Sequence, residues 1–241
     1  MSSHKFKTLD REPVYVKVSR AIEQEIVSGA LPEGALLPTE GELCEQFGVT
    51  RSSVREGIRL LEQSGLVERG PAKRLVVRAP KISEIAATAS RSLAHGGATF
   101  REVWETLALF YPQAARLAAT RLAPDAIGEL KDINQRLRDS ENGDVTVDSA
   151  VAFFQTIAAG LDNRVMLAML QSLNIMIGAS LAHVIGETPR AKTRIVEAQQ
   201  KIIAALEAGD EDKAAEWMSR HMDDLMRGYQ VAKADLDARI L

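Results

Sequence analysis

Apolar residues recur at three- and four-residue spacing through most of the chain, the signature of helices that bury one face. Val14, Val16, Val18, Ile22, Ile26 and Val27 predict a first helix that ends at Ser28-Gly29. "LPEGALLP", with two prolines and a glycine, reads as a loop. Thr39 with Glu42 three residues on forms a capping box and opens a short helix that stops at Gly48. Thr50 caps the next, which runs to about Gln63 and ends at Gly65. Leu66–Arg69, "GPAK" and Arg74–Arg78 then read as a two-stranded hairpin. Three helices followed by a hairpin make a winged helix-turn-helix over residues 1–78.

"RAPKIS", residues 78–83, is the expected linker, and everything beyond it reads as helix. One helix spans Ile82 to about His95 and ends at Gly96-Gly97. Thr99 and Glu102 form a second capping box, opening a helix to about Arg121. Pro124 stands in the first turn of the next, which fades near Asn142-Gly143. Val147 or Asp148 starts another, ending at Gly160, and Asp162 caps an uncharged apolar helix over 165–186. Thr188-Pro189 caps a helix to Ala208, and a last one follows Gly209-Asp210 to about Asp235. The expected fold class is mainly α: the winged domain with its small β-hairpin, then an all-α bundle of six or seven helices over 79–241.

Composition narrows the class. The chain is 46% hydrophobic and 26% charged, as an ordinary globular protein is. The single cysteine, Cys44, excludes an internal disulfide, and the N-terminus lacks an apolar signal core, so a cytoplasmic protein is expected. The apolar stretch 165–186 is long enough to span a bilayer, but it carries Gln171, Ser172, Asn174, Ser180 and His183, so it reads as a helix buried in the bundle. No nucleophile–base pair, carboxylate dyad or phosphate loop points to an enzyme.

Charge is unevenly placed. Residues 51–78 hold Arg51, Arg55, Arg59, Arg69, Lys73, Arg74 and Arg78 against only Glu56, Glu62 and Glu68. A local basic surface on a chain of net charge −3 suggests a confined anionic partner. In a helix-turn-helix the start of the second helix enters the major groove, where arginine bonds guanine bidentately or clamps a phosphate. Arg51 and Arg55 share one face of that helix, opposite Val54, Ile58 and Leu61. Thr39, Thr50, Ser52 and Ser53 are short donors able to approach phosphates or bases, and Lys73 and Arg74 at the hairpin tip reach toward flanking DNA. Taken alone, an exposed arginine pair is equally well explained as a solvated, ion-paired face.

"IVSGALPEGALLPTEGELCEQFGVTRSSVREGIRLLEQSGLVERG" resembles the DNA-binding domain of the GntR family of bacterial transcription regulators, over roughly residues 13–78. The shared pattern is G-x-L-x-x-G-x-x-L-P-[ST]-E-x-x-L followed by G-V-[ST]-R-x-x-V-R-E. Two departures stand out. Gly41 occupies a position where the family often has a DNA-contacting arginine, and the wing tip carries Ala72 and Arg74 in place of glycines. "FREVWETLALFYPQAARLAATRLAPDAI" and "AALEAGDEDKAAEWMSRHM" resemble the helical effector domain of the FadR-like subfamily.

That resemblance implies a divalent metal held by an aspartate and three histidines, but the matching positions here are Val151, Gln155, Gln199 and His221. A carboxylate-gripping arginine and its partner become Leu107 and Tyr111. No metal and no cofactor is therefore expected. Tyr111, Gln155, Gln199 and His221, joined by Asn174 and lined by Leu107 and Val151, are expected to form a polar set in an apolar cavity, as a small-molecule pocket does. The expectation is a homodimer that binds a pseudo-palindromic site on double-stranded DNA under the control of a small-molecule effector. The alternative is a constitutive DNA-binding dimer whose bundle serves only for dimerisation.

Overall fold

The computed structural model describes residues 12–70, 74–188 and 190–240. The chain divides into two compact units, and the division falls between Lys81 and Ile82, inside the stretch expected to be a linker. In the first unit, α1 (Val14–Val27), α2 (Glu40–Phe47) and α3 (Arg51–Gln63) precede an antiparallel hairpin of β1 (Val67–Arg69) and β2 (Leu75–Val77). Val67 pairs with Val77 and Arg69 with Leu75. This register brings Val67, Leu75 and Val77 into a core with Val18 and Ile22 of α1, Leu43 of α2 and Val54, Ile58 and Leu61 of α3.

Close packing of α1 on α3 depends on Gly57. A Cβ at this position would stand 2.9 Å from the Tyr15 carbonyl oxygen and 3.0 Å from a Val18 methyl. The segment expected to be a plain loop does more than connect. Gly34 N–H donates to Val77 O (2.8 Å), Val77 N–H to Ala35 O (2.9 Å) and Leu37 N–H to Leu75 O (2.9 Å). It thus lies along the free edge of β2, and Leu37 enters the core.

The second unit contains seven helices among the described residues: α4 (Ile82–His95), α5 (Phe100–Arg121), α6 (Pro124–Asp139), α7 (Gly143–Ala159), α8 (Arg164–Glu187), α9 (Ala191–Glu207) and α10 (Glu211–Val231). α5 packs chiefly on α10 and also touches α7, α8 and α9, while α4 packs on α8. Leu170, Leu173, Met176, Leu181 and Val184 of α8 are buried, whereas Val165 and Ile175 are exposed. Among the described residues no helix is long and apolar enough to cross a membrane.

Several helix ends differ from the sequence expectation, each for a local reason. α6 stops at Asp139, and α7 begins at Gly143 rather than at Val147 or Asp148. The Asn142 side chain accepts from the N–H groups of Asp144 and Val145, which caps the helix a turn earlier. Asn163, not Asp162, caps α8 by accepting from Met166 N–H (3.0 Å); Asp162 lies in the left-handed region. Thr188 closes α8, its N–H donating to Val184 O, instead of opening α9. α9 follows Arg190, which is left-handed and makes no side-chain cap; Pro189 lies outside the described residues. α10 ends at Val231, after which the chain returns along the start of α5: Arg101 N–H donates to Leu236 O (2.9 Å) and Ile240 N–H to Ala98 O (3.0 Å).

Candidate DNA-reading surface and helical-unit cavity

The start of α3 is held from both sides. Glu42 N–H donates to the Thr39 hydroxyl and Thr39 N–H to the Glu42 carboxylate (2.7 Å), which closes the capping box on α2. Those hydrogen bonds from Thr39 hold the Glu42 carboxyl below its ordinary pKa. Gly48, at φ +63, ends α2 with its N–H on Cys44 O, the left-handed stop that glycine makes without strain. Thr50 then caps α3, and its hydroxyl lies 3.0 Å from that of Ser52 and 3.1 Å from that of Ser53.

Arg51 and Arg55 project from this helix, with side chains 67% and 62% exposed. Both face one carboxylate: Arg55 Nε donates to Glu40 Oε2 at 2.8 Å, and Arg51 Nε stands 3.8 Å from the same oxygen. Glu40, at the first position of α2, was not singled out by sequence reasoning. Its signal is the family's P-[ST]-E run, where it is the conspicuous acid. Arg59 pairs with Glu56, Arg69 with Glu62 and Arg78 with Glu68. Exposed pairs of this kind contribute about 0–1 kcal/mol each, so phosphates or base edges can displace them. Arg74 is drawn back onto its own unit, its guanidinium donating to Leu37 O at 3.3 Å. Lys73 lies outside the described residues.

In the helical unit, α5, α7, α8 and α10 enclose a cavity of about 20 Å³. Leu107, Tyr111, Val151 and Asn174 all line it, together with Trp104 and Phe154. The Tyr111 hydroxyl donates to Asn174 Oδ1 at 2.7 Å, and burial holds its phenol well above the ordinary pKa. The remaining three predicted residues lie elsewhere. Gln155 is exposed to solvent and is not part of the cavity wall. It follows Phe154 on α7, and only the phenylalanine's side of the helix faces inward. Gln199 is buried between α6 and α9, where its Oε1 accepts from Asn134 Nδ2 at 3.1 Å. His221 is 1% exposed and stacks on Phe154, with ring centroids 5.5 Å apart and planes 7° from parallel.

These positions do not fit the divalent ion that the family resemblance implies. Val151 has no donor atom, Gln155 points away, and Gln199 is engaged with Asn134. Among the described residues no group of three or more His, Cys, Asp or Glu side chains could hold a metal ion. His221 finds no hydrogen-bond partner among the described residues at either ring nitrogen, and its burial pushes its pKa down to about 4. It is a neutral imidazole at pH 7.

An exposed arginine face on the second helix of a winged motif defines this chain as a DNA-binding protein of the helix-turn-helix class. Its residues 14–77 match the family model for bacterial regulatory proteins of the gntR family, and residues 102–224 match the FCD domain model. The chain belongs to the GntR family, FadR-like subfamily: it is a DNA-binding transcription regulator and not an enzyme. It is 28% identical over 208 residues to the Glc operon transcriptional activator of Escherichia coli K12, covering 82% of this chain and 81% of that one. It is also 28% identical over 234 residues to the HTH-type transcriptional repressor NanR of Cronobacter sakazakii, covering 93% and 88%. The solved structure of Streptococcus agalactiae GntR shares the fold, with a TM-score of 0.63, 21% identity and coverage of 88% of this chain and 99% of that one.

Proposed function

We propose that the protein binds a pseudo-palindromic operator as a homodimer, and that a small molecule held in the helical unit modulates this binding. Arg51 and Arg55 read base edges, while Thr39, Thr50, Ser52 and Ser53 contact phosphates with Lys73, and Arg74 steadies the wing. One winged helix covers too little DNA to find its site among genomic competitors, and two symmetric copies supply the remainder. The observation that carries the sensory half is the cavity among α5, α7, α8 and α10, which has unsatisfied polar atoms in its otherwise apolar wall. A bundle serving only for dimerisation has no need of buried polar groups that cost free energy to bury. The relatives named above, an activator and a repressor, agree with control of transcription in either direction.

The test uses an operator selected from random duplexes by the full-length protein. Binding should saturate at two chains per operator. Arg51→Ala and Arg55→Ala should each lose roughly 1–3 kcal/mol of operator affinity beyond the smaller loss each shows on scrambled DNA. The small-molecule fraction of host-cell extract should shift the operator half-saturation point. Unchanged operator affinity in both arginine variants removes the DNA-reading assignment, and no response to any extract leaves the bundle a dimerisation scaffold.

A further inference from the structure

Two buried hydrogen-bond donors belong to residues of the same cavity wall and have no partner among the described residues: the indole N–H of Trp104 on α5 and the amide Nδ2 of Asn174 on α8. Asn174 is 2% exposed. Its Oδ1 is taken by the Tyr111 hydroxyl, so the amide is oriented with its NH2 group left over. The surrounding wall is apolar, contributed by residues such as Leu107, Val151, Phe154, Ile177, Leu181 and Leu225, and no charged side chain lines it among the described residues. A buried donor with no acceptor is a costly group, and native interiors hold few of them.

We infer that this cavity takes an uncharged, mainly apolar molecule with one or two acceptor oxygens, such as a ketone, ester or lactone, which accept from Trp104 Nε1 and Asn174 Nδ2. The inference rests on the effector reading above and names the ligand's chemistry. A carbonyl oxygen has two lone pairs and matches the two donors left over in this wall. A carboxylate does not match, because its charge would be buried with no cation to receive it. The cavity of about 20 Å³ is close to the room one water needs. An organic ligand therefore has to part α8 from α5 and α10 as it enters, which makes occupancy a change of helix packing.

Three probes of one shape separate the possibilities: acetophenone, ethylbenzene and benzoate. The full-length Trp217→Phe variant leaves Trp104 as the sole indole, since the chain has two tryptophans. Indole fluorescence and melting temperature then follow each titration. Acetophenone should bind at least about tenfold more tightly than ethylbenzene, and benzoate should not bind. Asn174→Leu and, read by melting alone, Trp104→Phe should each weaken acetophenone several-fold while leaving ethylbenzene unchanged. Trp104→Phe removes an unpaired donor and keeps an aromatic ring, so the free variant should melt no lower than its parent. Equal affinity for ketone and hydrocarbon, preference for benzoate, or no binding of any probe to folded protein each overturns the inference. Operator affinity is read separately. A ketone that fills the cavity without moving operator affinity refutes the effector reading alone. An extract component that moves operator affinity equally in Trp104→Phe refutes this site alone.

Discussion

Replacing Glu40 by glutamine should loosen sequence discrimination while raising affinity for DNA in general. Among the described residues Glu40 is the only acid that faces both Arg51 and Arg55, at 2.8 Å from Arg55 Nε and 3.8 Å from Arg51 Nε. Its side chain is 27% exposed, so water and salt screen the pairing, which is worth roughly 0.3–1 kcal/mol. That is enough to bias the Arg55 rotamer before DNA arrives and too little to hold the guanidinium against a guanine edge. The carboxylate also offsets part of the arginines' charge toward phosphate. Glutamine keeps the shape and an acceptor oxygen but loses the charge. Operator affinity should change little, because a weaker bias on Arg55 and a stronger phosphate attraction oppose each other. Affinity for scrambled duplex should rise by about 1 kcal/mol, near the screened Coulomb energy of unit charges at 4 Å. The ratio of the two should fall about fivefold. The slope of log affinity against log salt should steepen by up to about one unit, as one more phosphate contact becomes effective. Anisotropy titrations on both duplexes at about 50–200 mM salt measure all three quantities. A Glu40→Gln protein with equal losses on both duplexes would refute the reasoning, since Glu40 would then matter only as an acid at the N-terminus of α2.

Two further outcomes follow from the packing. His221 has a folded pKa of about 4 against an ordinary 6.5, so between these values the unfolded chain binds more protons than the folded one. Stability should fall by about 3 kcal/mol as pH drops from about 7 to 4 through this residue alone. Urea unfolding at several pH values should show that component missing from His221→Phe, which keeps the stacking on Phe154; identical pH profiles would show that His221 is already paired. Gly57→Ala would ordinarily stabilise a helix interior by roughly 1 kcal/mol. Here the added Cβ meets the Tyr15 carbonyl at 2.9 Å, so the variant should lose about 1–3 kcal/mol, and a higher melting temperature would show that α1 yields freely.

What the sequence made legible follows from how local each signal is. Thr39 with Glu42, Gly48 and Thr50 act through hydrogen bonds within one turn, and the structure makes each of them. The misplaced starts of α7 and α8 are also local, whereas α9 starts after Arg190 with no side-chain cap at all. Asn142 caps α7 ahead of the expected Val147 or Asp148, and Asn163 caps α8 in place of Asp162, because an asparagine carbonyl accepts backbone N–H groups as well as a carboxylate does. The set Tyr111, Gln155, Gln199 and His221 failed to assemble for a different reason. Residue type and helical spacing give a side chain's angle about its own axis but not which neighbouring helix it meets. Gln155 therefore faces solvent while Gln199 turns to Asn134. Trp104 carried no sequence signal as a site residue, since its N–H becomes informative only once it is buried without a partner. The pairing of Glu40 with α3 needed the relative placement of two helices as well.

A ligand shifts an equilibrium only by the difference in its affinity for the two states, so the question for any sensor is where that difference arises. Here the unliganded packing carries its own bias toward change. Two donors in the cavity wall without a partner among the described residues cost up to on the order of 1–3 kcal/mol each, and a tenfold change in operator affinity requires a coupling of only about 1.4 kcal/mol. The release of even one donor's penalty is therefore sufficient in magnitude. On the proposed effector reading, the route for that free energy begins at α8. Asn174 faces the cavity, whereas the adjacent Ser172 and Leu173 line a groove with Ala89 and Leu93 of α4. A ligand that displaces Asn174 thus moves residues against which α4 is packed, and α4 begins at Ile82, only five residues beyond the last residue of β2. Mass action makes the proposed coupling reciprocal: if the cavity's ligand changes operator affinity, operator DNA changes the ligand's affinity by the same factor. Titrating acetophenone in the presence and absence of saturating operator measures this directly. Equal affinities, with the cavity occupied in both cases, would mean that the strain relieved at Trp104 and Asn174 stays within the helical unit.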